Sequence, residues 1–175
     1  AIQLLWLNLV TDGAPALALG SEKGDPDIMQ YPPRPPDEPI INRTMLLGII
    51  VQTIAISAAT LSAFAIGRSI SLDLGETLAF VTLSVSELLR AYTARSENVT
   101  IFKIGVFSNP MMNWAVLASL VLIITVVYVP FLQPIFNTTA IDPIHWLMIL
   151  PLILLPSIVA ELSKVLIARR KLMAG

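Results

Sequence analysis

The sequence predicts an all-α membrane protein with five transmembrane helices, on three observations. Of the 175 residues, 55% are hydrophobic and only 13% are charged, whereas soluble domains carry nearer a quarter of charged residues. Apolar stretches of about the 20 residues that one span requires recur along the chain. Ten of the 11 Lys and Arg residues are expected on one side of the membrane.

The chain divides into three segments. Residues 1–20 are apolar around one polar group and are expected to form an ion-site helix with a truncated start. Residues 21–42 contain six prolines and several charges, which forbid a regular helix and predict a cytoplasmic loop. Residues 43–175 are expected to form a four-helix membrane bundle. Its spans are predicted at about 44–67, 76–95, 111–130 and 144–168.

The spans differ in strength. Residues 44–67 carry no charge and satisfy the length of a span with ease. Residues 76–95 are weaker because Glu87 and Arg90 interrupt their apolar pattern. We interpret this segment as a span that contains an ionisable residue. The first helix of the chain is expected to be interrupted at residues 11–15.

The basic residues predict the orientation. If the loops alternate sides, the following ten fall together: Lys23, Arg34, Arg43, Arg90, Arg95, Lys103, Lys164, Arg169, Arg170 and Lys171. Only Arg68 falls on the opposite side. Such an asymmetry marks the cytoplasmic side. The protein is therefore expected to be an integral, multi-pass membrane protein whose first partner is the lipid bilayer.

Several classes are disfavoured by composition. The net charge of −1 offers no basic surface for nucleic acid, and the absence of cysteine excludes disulfides and thiolate metal sites. The chain begins within an apolar pattern, without a basic flank or a cleavage site. We expect it to be a piece of something longer, with proteolytic maturation as the alternative.

Asp12 is the first candidate for an ion ligand. A carboxylate in hydrocarbon usually faces a cavity or partner and marks an ion pathway. Asn8, Thr11 and Asp12 stand at i, i+3 and i+4, so a helix puts all three on one face. Pro15 cannot donate to the carbonyl of Thr11, and broken helices with free carbonyls build cation sites in transporters. The alternative is a proline kink with Asp12 bonded to a neighbouring helix.

Glu87 is the second candidate. At about 1.5 Å per residue it lies roughly 12 Å from Arg95, and Asp12 lies roughly 12 Å from Gly20. Two carboxylates at similar depth could meet around one ion. Alternatively, Arg90 three residues later pairs with Glu87.

Ligand chemistry then indicates a hard cation. All the candidates are oxygen donors, which do not favour zinc or copper. Asn8, Thr11, Asp12 and Glu87 together offer roughly four to six oxygens, whereas calcium takes six to eight. The predicted site is therefore incomplete.

Other polar residues favour ordinary roles. His145 is expected at the membrane interface, and Glu161 with Lys164 is expected to form an i, i+3 pair. Asp25 and Asp27 are expected to be solvated loop charges that could attract cations. No nucleotide motif or catalytic triad occurs in the sequence.

A family resemblance joins these residues. The segment from Asn8 to Gly20, NLVTDGAPALALG, resembles the sixth membrane helix of P-type cation ATPases, particularly calcium pumps of the sarcoplasmic reticulum type. The segment from Asp25 to Pro39 resembles that family's loop between helices six and seven. The Ser96-Glu97-Asn98 triplet resembles the end of helix eight. The remaining spans would be helices seven, nine and ten.

The resemblance implies specific roles. The positions of Asn8, Thr11 and Asp12 ligate transported calcium in that family, with Asp12 shared between two ions, and Glu87 matches a ligand of the first site. Asp25 and Asp27 match residues linked to communication with the phosphorylation domain. The parent pump would use ATP and magnesium to form an aspartyl-phosphate. This segment lacks the phosphorylation and nucleotide domains and should be inactive alone.

Two departures from the family pattern are evident. Ala14 replaces a larger apolar residue, and Arg90 is basic where the animal reticulum pump is neutral. Arg90 could replace a second ion by a fixed charge, so the number of ions stays open. The short tail looks bacterial, which implies the plasma membrane; otherwise an endomembrane is expected.

The functional hypothesis is the cation-translocation part of an ATP-driven pump that exports calcium from the cytoplasm. Its partners would be the remaining helices and cytoplasmic domains of the parent pump. The alternatives are a pump for sodium, manganese or protons, and a non-enzymatic carrier or accessory subunit.

Overall fold

A computed structural model describes residues 1–24, 29, 33, 39, 41, 43–96 and 99–173, with the side chains of 43, 44 and 166–173 excepted. Helices account for the regular structure of the described residues, and no strand occurs among them, so the predicted all-α class is confirmed. In chain order the helices are α1 (Ile2–Gly20), α2 (Arg43–Arg68), α3 (Leu72–Thr93), α4 (Ile101–Ile104), α5 (Pro110–Tyr128), α6 (Gln133–Phe136) and α7 (Pro143–Met173).

The first helix is continuous, and the predicted interruption at residues 11–15 is wrong. The α-helix runs from Ile2 to Gly20 with Pro15 inside it. Proline removes only the bond to the carbonyl four residues earlier. The bonds on either side and the burial of Pro15 against the bundle are sufficient to keep α1 helical.

Polar side chains define where two of the long helices begin. The hydroxyl of Ser71 accepts a hydrogen bond from the backbone N–H of Leu74 at 3.2 Å, and the side chain of Asn109 accepts one from Met112 at 3.0 Å. Both are N-caps, which satisfy backbone donors that the first turn leaves free. Pro110 follows Asn109 at the first helical position, where its missing N–H is harmless.

Four of the described helices are long and apolar enough to cross a membrane. They are Ile2–Gly20, Met45–Arg68, Pro110–Tyr128 and Pro143–Val165. The multi-span membrane class is thereby confirmed. Helix α3 has 22 residues but is more polar and is not among the four, so the count of five stays a prediction.

Helix α3 lies at the centre of the bundle. It packs against α1, α2, α5 and α7, and 12 of its 22 residues are buried. Leu78, Val81 and Leu88 are fully enclosed by protein. A helix surrounded by other helices can therefore carry polar residues that lipid would not accept.

The two ends of the bundle are distinct. At one end, the Gln3 amide donates to the carbonyl of Phe136 at 2.8 Å, and the Tyr128 hydroxyl donates to the carbonyl of Ile141 at 2.7 Å. The ends of α1 and α3 and the start of α5 meet at the other end, where Lys23 and Lys103 also lie. Most of the predicted loop 21–42, including Asp25 and Asp27, lies outside the described residues, as does the Glu97-Asn98 pair.

Candidate functional site: a polar contact between two membrane helices

Thr11 and Glu87 meet inside the bundle. The Thr11 hydroxyl lies 3.0 Å from Oε2 of Glu87 and 3.0 Å from the carbonyl of Leu7. A hydroxyl has one proton, so it donates to one of these oxygens at a time. Thr11 is buried and Glu87 is half-buried. Two of the four predicted ligands, 76 residues apart in the chain, are therefore in direct contact.

Asn8 and Asp12 lie on the flank of α1 that this chain leaves open. The packed face of α1 is formed by Leu7, Val10, Thr11, Pro15 and Ala18, while Asn8 and Asp12 are exposed. The charge of Asp12 is close enough to interact electrostatically with Glu87. Of the four predicted ligands, only Thr11 and Glu87 touch in the described part of the chain.

The described residues do not complete a metal site by themselves. They contain no group of three or more His, Cys, Asp or Glu side chains that could hold an ion. The Thr11 hydroxyl, the Asn8 amide and two carboxylates supply about four to six oxygens, whereas a calcium ion takes six to eight. Further ligands would have to approach the open flank of α1.

Two alternative roles for the carboxylates lack contacts in the described part of the chain. Arg90 is exposed, and among the described ion pairs none joins it to Glu87, although its charge acts on Glu87 from a distance. Within the same residues, Asp12 forms no side-chain hydrogen bond to a neighbouring helix. The arrangement thus leaves the Asp12 carboxylate available to a ligand.

Backbone oxygens of α1 also lie near the contact. The carbonyl of Thr11 receives no bond from Pro15, which has no N–H. One residue earlier, the carbonyl of Val10 accepts a hydrogen bond at 2.7 Å from the hydroxyl of Ser119 on α5. This buried bond fixes the middle of α1 to α5, so the oxygens beside it are held in place.

A buried ion pair, which was not predicted from the sequence, lies at the end of α1. The guanidinium of Arg95 donates from Nε to Oε2 of Glu22 and from Nη2 to Oε1, both at 2.8 Å. The Arg95 side chain is 0% exposed and that of Glu22 is 14% exposed. We call this the Glu22–Arg95 pair. Its members are 73 residues apart, so no local pattern could have revealed it.

The surroundings of the pair hold the Glu22 carboxylate in its charged form. Hydrogen bonds from Arg95 lower the pKa of Glu22 below the ordinary 4.5, and a hydrogen bond from Asn109 acts in the same direction, against partial burial. Asn109 donates to Oε2 of Glu22 at 2.8 Å and to the carbonyl of Ala18 at 3.1 Å. The same residue caps α5, so the pair joins three helix ends.

The second buried cation of the described residues serves a different helix. Lys164 on α7 donates to the carbonyl of Thr93 at 2.6 Å and to Oε1 of Glu161 at 2.8 Å. The predicted i, i+3 pair of Glu161 and Lys164 is confirmed. Glu161 also accepts the backbone N–H of Ile101 at 3.0 Å. This group ties α7 to α3 and α4 without touching α1.

His145 lies near the start of α7, and its place at the membrane interface stays a prediction. It is buried, and its Nδ1 stands 3.9 Å from Oδ2 of the exposed Asp142. That distance exceeds a hydrogen bond.

Comparisons with known proteins complete the description. Residues 1–166 match the family described as Cation transporting ATPase, C-terminus. The calcium-transporting ATPase of Bacillus subtilis is 37% identical over 173 residues, or 97% of this chain and 19% of that protein. Calcium-transporting ATPase type 2C member 1 of Homo sapiens is 34% identical over 94% of this chain and 18% of its own length. Calcium-transporting ATPase 1 of Schizosaccharomyces pombe is 38% identical over 81% and 16%. The chain thus spans less than a fifth of these relatives.

Proposed function

Since this chain belongs to the family of cation transporting ATPase C-terminal regions, we propose that it forms part of the membrane pathway of an ATP-driven calcium pump. The observation that carries the proposal is the part-buried hydrogen bond between Thr11 and Glu87, which joins two helices of a membrane bundle. Polar groups inside a membrane bundle are costly unless they serve function or packing. The similar proteins are calcium-transporting ATPases, and this similarity favours calcium as the ion.

The proposed ligands are Asn8, Thr11, Asp12 and Glu87. Thr11 and Glu87 supply oxygens from adjoining helices, and Asn8 with Asp12 supplies them from the open flank of α1. Calcium takes carboxylate, amide and carbonyl oxygens without a strict geometry. The ligands that this chain does not supply would come from other helices of the pump, packed against α1.

The segment boundaries follow from the same proposal. Residues 1–20 act as the ion-site helix, residues 21–42 as a cytoplasmic loop, and residues 43–175 as the supporting membrane bundle. Helix α3 would be the fifth span, because 22 helical residues extend about 33 Å, close to the thickness of the hydrocarbon core. Its polar residues are sheltered by the helices around it.

The rest of the pump would perform the ATP chemistry. ATP and magnesium would be used there to phosphorylate an aspartate outside this chain. The energy of that reaction would alternate the access of the calcium site between the two sides of the membrane. In a bacterium the pump would work in the plasma membrane, and elsewhere in an endomembrane.

The test compares two carboxylates of the full-length pump. Asp12→Asn should raise the calcium concentration for half-maximal ATPase activity at least about tenfold, since even removing a hydrogen-bond partner of a metal ligand lowers affinity by about 10–100-fold. Asp73→Asn is the matched control, because Asp73 is an exposed carboxylate at the start of α3, remote from Thr11. It should leave the calcium dependence unchanged.

Competition by other ions tests the choice of calcium. Formation of the phosphoenzyme should depend on calcium, with sodium and manganese unable to replace it at similar concentrations. If Asp12→Asn and Asp73→Asn give the same calcium dependence as the parent pump, the ligand role is refuted. If another ion drives phosphorylation better, calcium is the wrong cargo.

A further inference from the structure

The Glu22–Arg95 pair joins the two helices that carry the candidate ligands. We propose that this pair positions the cation site, by fixing the height of α1 relative to α3 and hence the separation of Thr11 and Glu87. The inference rests on the proposed function for its ion-binding consequence. It adds a role for Glu22 and Arg95, neither of which is a proposed ligand.

The geometry of Arg95 permits one arrangement of the pair. Its two parallel bonds to Glu22 form a bidentate contact, which fixes orientation as well as distance. The remaining donor nitrogen, Nη1, bonds the carbonyls of Gly105 at 2.9 Å and Val106 at 3.3 Å. Because the planar guanidinium is held by protein on both sides, Glu22 cannot move without breaking several bonds.

Glu22 is fixed in turn at the last turn of α1. Asn109 holds both the Glu22 carboxylate and the carbonyl of Ala18. Since the backbone N–H of Glu22 also bonds the carbonyl of Leu19 at 3.0 Å, the carboxylate is attached rigidly to the helix end. The Glu22–Arg95 pair therefore cannot shift without a shift of the end of α1.

Rigid helices transmit this constraint to the candidate site. Arg95 lies two residues past the end of α3 and eight beyond Glu87, a rise of about 12 Å at helical spacing. Glu22 lies two residues past the end of α1 and eleven beyond Thr11, a rise of about 16 Å. The Thr11–Glu87 oxygens are 3.0 Å apart. A slide of α1 by about 2 Å along α3, perpendicular to this contact, would lengthen it to about 3.6 Å, which is beyond hydrogen-bonding distance.

The Lys164 group provides a matched control. Lys164 is also a buried cation bonded to a carboxylate and to the end of α3, but its partners lie on α3, α7 and the segment leading into α4. Arg95→Gln and Lys164→Gln each replace a buried cation by a neutral amide. Only the former releases α1.

The experiment measures ion response and helix position in the full-length pump. Arg95→Gln should raise the calcium concentration for half-maximal activity by about tenfold, the lower end of the loss seen when a residue that orients a metal ligand is removed. Lys164→Gln should change it by less than about threefold, and Arg95→Lys, which keeps the charge but loses the bidentate fork, should lie between. If Arg95→Gln fails to fold, Glu22→Gln provides the same comparison at the less enclosed member of the pair, whose side chain is 14% exposed.

Helix position is measured without any ion. Spin labels on cysteines introduced at Leu9 of α1 and Asp73 of α3, both exposed, report the distance between the two helices. This distance should shift or broaden in Arg95→Gln and stay as in the parent pump in Lys164→Gln.

The outcomes separate this inference from the proposed function. If Arg95→Gln and Lys164→Gln lose calcium response equally, the Glu22–Arg95 pair only stabilises the fold, and the proposal is overturned. An unchanged label distance in Arg95→Gln would also overturn it. If the unmodified pump does not respond to calcium, the proposed function fails, and the label distance alone then decides whether the pair sets the helix register.

Discussion

Helices α2 and α3 approach each other closely at Gly67 and Gly75. A Cβ atom added to Gly67 would lie 2.6 Å from the Cα of Gly75 and 2.8 Å from the backbone carbon of Leu74. Both obstacles are backbone atoms, which cannot rotate away as a flexible side chain can. Gly67→Ala must therefore push the two helices apart by about 0.8 Å to reach ordinary contact at 3.4 Å.

The expected loss of stability follows from this overlap. Inserting a methyl group into a packed interior costs about 1–3 kcal/mol, and small residues matter especially between membrane helices because they permit close backbone packing. Gly48→Ala on the same helix is the matched control, since its added Cβ would meet nothing within 4 Å. Alanine favours a helix over glycine by about 1 kcal/mol, so this variant should be neutral or stabilising.

The assay is thermal unfolding of the full-length pump in detergent, followed by the fraction that elutes as a single species after heating. Gly67→Ala should lower the midpoint and Gly48→Ala should not, with about 2 kcal/mol or more between them. If both variants have the same unfolding midpoint as the parent pump, α2 and α3 do not approach closely at these glycines, and this packing of the two helices is refuted.

Two further predictions concern single side chains. Thr11→Val keeps the shape of the side chain but removes the hydroxyl that donates to Glu87; it should weaken the calcium response of the ATPase severalfold while changing the melting midpoint little, and a loss of stability without a change in calcium response would contradict it. Glu22→Gln should lower the melting midpoint at neutral pH, because the pKa of Glu22 is lowered by its bonds with Arg95. A carboxyl with a lowered folded-state pKa stabilises above the ordinary 4.5 and loses that contribution as the pH falls through the folded value. The difference between parent and variant should therefore close below pH 4.5, and a constant difference would refute the charged pair.

The sequence predicted those features that depend on local patterns. Uncharged apolar stretches identified the long helices, and the i, i+3 spacing identified Glu161 with Lys164. The continuous course of α1 was not predictable from Pro15 alone, because the neighbouring hydrogen bonds and packing against α3 and α5 outweigh one missing bond. A proline in the sequence indicates that a helix can break there, but packing within the bundle decides whether it does.

The candidate site was predictable only as far as residue type and helix face. The spacing grouped Asn8, Thr11 and Asp12, but it could not reveal that Thr11 turns inward toward Glu87 while the other two remain exposed. The Glu22–Arg95 pair was missed because its members lie in separate segments and each resembles an ordinary interfacial charge. Such long-range pairs become visible only when the helices are assembled.

The polarity of α3 has a consequence for how the protein enters the membrane. Its Thr77, Thr82, Ser84 and Ser86 are fully enclosed by neighbouring helices, so the same segment emerging alone would meet lipid with these hydroxyls uncovered. Insertion as a hairpin with α2, closed at Gly67 and Gly75, would cover part of that surface at once. We therefore expect α3 to depend on its neighbours for stable integration during synthesis, unlike the four helices that are apolar enough to integrate independently.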